Sequence, residues 1–414
     1  MSPAAPAALV PRPWLALFSM LAVQVLATLA LGAAPVMAPA VGPQLGIAPE
    51  RVGLFTGLAY LFAMVSGLAS GPWVNRVGGV RLMQFLLAGV ALGTACATLG
   101  WPLALLFAAA LIGAGYGGVN PASAGVLGHH APPGSPGLFF AMKQAGVPIG
   151  IALAGLLVPA GLAVLGWRGT AWAIGGGCLL LAAVLLPVVT ILDPHERSAA
   201  PRGLELMQTL RAVMRHPGLR RLSLVSLVYA MSQLGFLTFS VSLLTLDLGL
   251  SLALAAGLLS ASQVACTLVR VALGHVGDRW IAPHLLLGGV GVAMAVACLA
   301  LALLPRQPPV LLAAAVVVLA GASTMGWNGV YFAQLVRTVP REQLAASAGG
   351  TQFFTFTGGM VGPILFGQVL RETGSYAVAY GLLAVTSLLA GAVMLRPPPG
   401  GSTGVDIATR RRRT

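Results

Sequence analysis

Long apolar runs separated by short polar segments follow one another along the whole chain. A helix needs roughly 20 apolar residues to cross a bilayer core about 30 Å thick. Backbone groups in lipid must be paired within the segment, so the runs are expected to be helices rather than open strands. The pattern predicts an all-α membrane protein with twelve transmembrane helices. The predicted spans are 14–41, 53–74, 82–99, 103–128, 138–165, 167–191, 222–248, 251–274, 284–304, 309–334, 344–370 and 375–395.

The longest hydrophilic stretch, residues 192–221, divides these spans into six and six. It predicts two pseudo-symmetric six-helix bundles joined by a basic linker. The part from Gly203 to Arg215 is interpreted either as an amphipathic helix lying on the membrane surface or as a plain solvated linker. The predicted units are 1–13 (N-terminal segment), 14–191 (first bundle), 192–221 (linker), 222–395 (second bundle) and 396–414 (basic tail).

Charge is scarce and unevenly placed. Of the 414 residues, 57% are hydrophobic and 8% are charged, whereas a soluble domain has roughly 25% charged residues. The net charge of +14 first suggests nucleic acid, but the arginines lie between the apolar runs. If both termini share one side, 17 basic residues lie there and 4 on the other. The positive-inside rule therefore predicts cytoplasmic termini in a plasma membrane, the inner membrane of a bacterium. Because membrane orientation explains where the arginines lie, a nucleic-acid partner is not expected.

Several motifs for other functions are incomplete. The four cysteines are far apart in apolar stretches, so neither a metal site nor a disulfide is expected. The segment "GAGYGG", Gly113–Gly118, fits a dinucleotide-binding pattern but lacks the preceding strand, so helix packing is expected and no cofactor. Histidine is absent from the predicted span interiors, which argues against a membrane enzyme. The first span is expected to be an uncleaved helix, the alternative being a signal peptide.

The two halves repeat short patterns in the same order. Gly71 is followed by Asn and Arg at the fourth and fifth positions, and Gly274 by Asp and Arg at the same spacing. The fourth and tenth spans each have a glycine followed seven residues later by asparagine, Asn120 and Asn328. These matches predict a duplicated six-helix unit, as many transporters have.

At "GPWVNRVGGVR" the chain resembles the major facilitator superfamily, and the resemblance covers nearly its full length. The segment is similar to that family's signature between the second and third helices, with Asn75 in place of the usual aspartate and Gly79 in place of a basic residue. The resemblance implies two bundles that rock around a central site, with a weakened ion-pair latch at this loop. The implied gating residues are Gly71, Asn75, Arg76, Gly78, Arg81, Gly274, Asp278 and Arg279.

Two cations lie within predicted spans, Lys143 and Arg270, and all nine acids lie in loops or at span ends. An ionisable group inside the membrane is costly unless it faces a cavity or a partner, so both cations are candidates for function. Lys143 begins a stripe of small residues, Gly146, Gly150 and Ala154, that predicts a closely approaching helix. A cavity with cations and no acid predicts an anionic substrate.

The segment "RVALG" from Arg270 resembles the eighth-helix arginine region of monocarboxylate and oxalate-formate transporters. In those carriers the arginine binds the substrate carboxylate, and the family arrangement implies that Lys143 lies near it. Cys266 stands where many monocarboxylate carriers have an aspartate. In the alternative interpretation, both cations reach toward the membrane surface and serve gating or packing.

We therefore expect a monomeric carrier of a small organic anion, a mono- or dicarboxylate, working by symport, exchange or facilitated movement. A multidrug or other efflux carrier of the same fold is the nearest alternative. A non-transporting membrane receptor is the alternative from another class. Further polar candidates for substrate contact, which could equally join helices by hydrogen bonds, are Asn120, Asn328, Tyr229, Gln233, Gln24 and Gln352.

Overall fold

A computed structural model describes residues 11–132, 136–193, 206–339 and 344–396, and in these ranges the chain is helical without strands. Two short 3-10 turns, Pro43–Leu45 and Pro49–Arg51, follow the first helix, and a π-helical turn spans Leu243–Asp247. The α-helices are α1 Pro13–Val41, α2 Val52–Val77, α3 Gly79–Ala97, α4 Pro102–His130, α5 Pro136–Gln144, α6 Gly146–Val184, α7 Leu186–Leu192, α8 Leu206–Arg215, α9 Pro217–Ser242, α10 Leu252–Arg279, α11 Pro283–Ala302, α12 Val310–Thr338, α13 Leu344–Thr373 and α14 Tyr376–Leu395.

Eleven stretches of the described chain are long and apolar enough to cross a membrane. One of them, Phe139–Val184, has 46 residues and contains two crossings. A straight helix as long as α6 would measure roughly 58 Å, far more than a bilayer core. The chain instead reverses at Gly166, whose φ of 67° and ψ of 176° lie outside helical values and suit glycine. The prediction of twelve transmembrane helices is confirmed, with the fifth and sixth joined at this glycine.

The two bundles are built alike. In the first, Gly113 and Gly117 let α4 approach so closely that a Cβ at either position would overlap the backbone of α2. In the second, Gly321 lets α12 approach α10 so closely that a Cβ would overlap the side chain of Ser262. Small residues allow such approach where lipid provides no hydrophobic drive between helices. The glycines of "GAGYGG" therefore serve helix packing, as the sequence predicted.

The bundles meet each other on one side of the membrane. We call the side where α1 begins and α14 ends the terminal face, and the other side the opposite face. Near the opposite face, α2 packs on α13 so tightly that a Cβ at Gly53 would overlap the carbonyl of Pro363. There too, Ser260 of α10 donates a hydrogen bond of 2.8 Å to the Ala152 carbonyl of α6. The bundles thus form a seal at this face.

At the terminal face, the matching glycines of the two repeats lie apart from their surroundings. A Cβ at Gly71 or Gly274 would meet no atom within 4 Å. The linker helix α8 lies at this face against α13, where Gly350 leaves room for Val213 and Thr209. Of the two alternatives predicted for the linker, the structure shows the helical one over Leu206–Arg215. Residues 194–205 and the basic tail from 397 lie outside the described residues.

Candidate functional site

Lys143 lies inside the first bundle, near the end of α5, and only 1% of its surface is exposed. Its ammonium group donates to three side-chain amide oxygens: Gln24 Oε1 at 2.6 Å, Asn120 Oδ1 at 2.5 Å and Gln144 Oε1 at 3.2 Å. A lysine has three donors, so its hydrogen bonds are complete. Amide oxygens carry no net charge, however, and no described carboxylate pairs with Lys143. The positive charge is therefore solvated but not neutralised.

The stripe of small residues after Lys143 packs mainly on α1. A Cβ at Gly146 would lie 2.8 Å from Gln24 Cγ, and one at Gly150 would lie 2.5 Å from the Val25 carbonyl. The helix that packs closely on the stripe is thus α1, which holds Gln24 against Lys143. The fifth span also packs beside α10, but through Gly155, the residue after Ala154, which meets Ala256.

Arg270 occupies a different environment in the second bundle. It is half-buried on α10, and its Nε donates to the Met325 carbonyl of α12 at 2.9 Å. Asn328 Nδ2 lies 3.5 Å from the same carbonyl, so the asparagine of the second repeat stands beside the cation of its own bundle. The thiol of Cys266, one turn earlier, also interacts with Arg270. The Arg270 guanidinium is thus held by the Met325 carbonyl of α12 and by the Cys266 thiol of its own helix.

Helix α4 connects the two cations. Asn120 binds Lys143, and Tyr116, four residues earlier, lies close enough to Arg270 for an electrostatic interaction. Four helical residues rise about 6 Å and lie on one face. The charge of Arg270 therefore acts on the same face of α4 whose Asn120 accepts a hydrogen bond from Lys143.

An aromatic wall adjoins this turn. Tyr60 of α2 stands 6.1 Å, between ring centroids, from Tyr116 and 6.3 Å from Phe356 of α13. All three rings are half-buried, and Gly359 lets α13 approach Tyr60. Sequence reasoning missed these residues, although Tyr116 within "GAGYGG" is a large ring among glycines. The wall brings aromatic rings of both bundles together at Tyr60, and Tyr116 is the member on which the charge of Arg270 acts.

The remaining candidates are dispersed. Gln233 accepts a 3.0 Å hydrogen bond from Trp327 Nε1, and Gln352 is half-buried on α13. Tyr229 is fully buried, and its hydroxyl donates to the Leu287 carbonyl at 2.7 Å inside the second bundle. Since its polar atom is already used there, packing is the role that the Tyr229 contacts support.

The signature loop is held by an acid that the sequence analysis did not single out. Asp193 follows α7 and accepts hydrogen bonds from the backbone N–H groups of Val80 at 2.8 Å and Arg81 at 3.0 Å. It thereby caps the start of α3, where Gly78 has a φ of 95° and no room for a side chain beside the carboxylate. Burial raises the pKa of Asp193, and the backbone donors oppose that shift. The signal in the sequence was an acid directly after the sixth span.

The predicted gating arginines lie at the surface of the described chain. Arg76, Arg81 and Arg279 are exposed, and Arg279 donates to His275 Nε2 at 3.3 Å. Asn75 is half-buried, and Asp278 lies near the end of α10. Within the described ranges, the ion pair found is Arg371 with Glu372, which involves none of them. Gating by these residues stays a prediction.

Two duplicated six-helix bundles, with polar groups where they meet and a seal on one side, define an integral membrane transporter. The family model of the Major Facilitator Superfamily matches residues 20–363, and the chain belongs to that superfamily. A relative in Escherichia coli strain K12, a 3-(3-hydroxy-phenyl)propionate transporter, is 26% identical over 355 residues, covering 84% of this chain and 85% of the relative. The chain is thus a transporter of small molecules and not an enzyme.

Solved structures share the fold. A bacterial homologue of the human lysosomal transporter Spinster, in an inward-facing and unoccupied conformation, has a TM-score of 0.73 and 17% identity, covering 93% of this chain and 96% of that one. A POT family transporter in complex with 5-aminolevulinic acid has a TM-score of 0.72 and 12% identity, with the same coverage. At these identities the likeness concerns the fold alone.

Proposed function

We propose that this transporter carries a small organic anion whose carboxylate is bound between Lys143 and Arg270. The observation that carries the proposal is a pair of cations, Lys143 in the first bundle and Arg270 in the second, that both act on one face of α4 and have no acid to neutralise them among the described residues. A buried charge without a counterion is costly, and a substrate carboxylate would supply one. Monocarboxylates and dicarboxylates both fit this requirement.

Arg270 is the first contact in this scheme. Its Nε is bound to the Met325 carbonyl, which leaves the planar fork of the guanidinium for a carboxylate. Lys143 then exchanges an amide oxygen, from Gln24 or Asn120, for a substrate oxygen. Such an exchange keeps the donors satisfied and adds charge neutralisation.

The aromatic wall narrows the substrate class to acids with a ring. Tyr60 lies beside both Tyr116 and Phe356, and the charge of Arg270 acts on Tyr116. Aromatic pairs contribute roughly 0.5–1.5 kcal/mol beyond their buried area. The E. coli relative is by its name a transporter of a phenylpropionate, which agrees with a ring-bearing acid as the substrate.

Transport follows from the two-bundle design. We propose that the gating residues at Gly71–Arg81 and Gly274–Arg279 lie at the cytoplasmic face and that the protein acts as a monomer in a bacterial inner membrane. The arginine excess on the terminal face supports this orientation. Because the described span interiors hold no carboxylate to carry a proton, exchange or facilitated movement is favoured over a proton relay.

The test begins with ligand-induced stabilisation of the purified protein in detergent. Ligands that bind the folded state raise its melting temperature by mass action. We expect 3-phenylpropionate to stabilise the protein more than propionate, and its neutral amide to have no effect. Arg270→Ala should abolish the shift, while Arg306→Ala, an exposed arginine of the opposite face, should not.

Flux into proteoliposomes then separates a carrier from a receptor. Uptake of radiolabelled 3-phenylpropionate should require Arg270, and stimulation by the same acid loaded inside would indicate exchange. Binding without flux would identify a receptor. Stabilisation only by cationic or neutral drugs would contradict the anion proposal and favour an efflux carrier.

A further inference from the structure

Behind the seal at the opposite face, the first bundle contains an apolar cavity of about 300 Å³. Its walls come from the second half of α1, the loop after it, the start of α2 and adjoining parts of α3, α4 and α6. All of its described lining residues belong to this bundle. The cavity is therefore separate from the polar cluster between the bundles.

The lining of the cavity is mostly apolar. Alanine, leucine and isoleucine side chains dominate, with Phe55 and Trp167 as aromatic members. The charged lining residue is Arg51, which is exposed at the rim. A second cation lies close by, since the guanidinium of Arg168 stacks 4.4 Å over the ring of Trp167. Ligand pockets of roughly 300–1,000 Å³ are commonly apolar with a few polar groups that orient the ligand.

The cavity shares a wall with the seal. Ala48, Arg51 and Phe55 face the cavity from the segment that ends the loop and begins α2. The same segment contacts α13 on its other side, where a Cβ at Gly367 would lie 2.5 Å from the Glu50 carbonyl and one at Gly53 would overlap Pro363. A molecule in the cavity would therefore contact the same segment of α2 that packs on α13 at the opposite face.

We propose that this cavity binds an amphipathic acid, with its apolar body between α1 and α6 and its anionic head at Arg51. The volume corresponds to about ten water-sized groups, enough for a chain or ring system of about ten heavy atoms. The source is either the bilayer, as a fatty acid or an anionic lipid chain, or a soluble acid. By bracing this segment of α2, the bound acid favours the state in which the opposite face is closed.

Decanoate is the probe, and 1-decanol is its neutral counterpart. In delipidated protein in detergent, decanoate should raise the melting temperature more than decanol does. Arg51→Gln should raise the half-maximal decanoate concentration about threefold to fivefold, a modest change because an exposed ion pair contributes little. Arg306→Gln, the matched control on the same face, should leave it unchanged.

Filling the cavity gives the larger effect. Ala34→Phe, on a lining residue of α1, should abolish the decanoate shift, whereas Ala40→Phe, outside the lining, should keep it. Ala171→Leu is a smaller filler that serves if Ala34→Phe does not fold. The proposal is overturned if the filled variants and Arg51→Gln respond to decanoate like the wild type.

Two further readouts separate the sources and the closure. If the bilayer is the source, native mass spectrometry before delipidation should detect a lipid bound to the wild type and absent from Ala34→Phe. If a soluble acid is the source, no such lipid should be detected. In a variant without native cysteines, decanoate should slow alkylation of Ser260→Cys from the opposite face at least threefold. Unchanged or faster alkylation would overturn the bracing. Arg270→Ala lies outside the cavity lining and should keep the decanoate shift. The outcome for the cavity is therefore independent of the outcome for the proposed function.

Discussion

The two bundles carry their cations in different ways. Lys143 is buried and fully hydrogen-bonded to amide oxygens, whereas Arg270 is half-buried and fixed through its Nε to a carbonyl. The asparagine of each repeat lies beside the cation of its own bundle, Asn120 at Lys143 and Asn328 near Arg270. The duplicated scaffold thus preserves a polar position while the charges come from non-equivalent helices.

The difference favours Arg270 as the first contact in the proposed binding scheme. The three donors of Lys143 are all bound to amide oxygens, so Lys143 must give up an amide partner to bind a carboxylate. The signature loops differ as well, because the Asp193 carboxylate caps the first one whereas Arg337 donates to the Gly277 carbonyl at the second. The second bundle offers the more accessible of the two cations.

The largest expected effect is at Arg270. Arg270→Lys keeps the charge but loses the planar fork, so transport of 3-phenylpropionate should fall about 100-fold, the equivalent of two charge-assisted hydrogen bonds. Uptake by proteoliposomes measures this. Arg306→Lys, at an exposed arginine of the opposite face, is the control and should transport normally. Equal transport by Arg270→Lys and wild type would show that this side chain does not bind the carboxylate.

A smaller effect is expected at Lys143. Lys143→Gln should reduce transport about tenfold, because one charge-assisted contact is lost while a neutral donor can still reach Gln24 or Asn120. The unliganded protein should melt at an equal or higher temperature, since a buried charge without a counterion is removed. Transport and thermal melting of the same preparation test both parts. A large loss of stability with unchanged transport would mark Lys143 as structural.

The smallest effect is expected at Asp193 and depends on pH. Because the folded pKa is raised above the unfolded value of about 3.9, the folded state holds the proton more tightly. The contribution of Asp193 to stability is therefore greatest at low pH and declines as pH rises through that range to the folded pKa.

Asp193→Asn should remove this part of the pH dependence, so the variant should keep the stability that the wild type loses as the pH rises through the folded pKa. Melting temperatures from pH 4 to pH 8 measure it, with Asp247→Asn as the control acid. An identical pH profile in wild type and Asp193→Asn would exclude the carboxylate as the titrating group.

The sequence by itself determined the twelve helices, the duplication and the two cations within spans. Length and apolarity define a span because lipid leaves the backbone no other way to pair its polar groups. The glycines of Gly113–Gly118 also predicted close helix packing. The arginine bias also gave an orientation, which stays a prediction.

Only the tertiary structure decided the partners. That Lys143 meets Gln24 and Asn120 while Arg270 meets the Met325 carbonyl depends on how the helices pack, which no periodicity encodes. The cap from Asp193 on α3 joins residues more than 110 positions apart. Such contacts arise from helix packing across the chain, whereas the helices themselves arise from local hydrophobicity in a solvent that cannot hydrogen-bond.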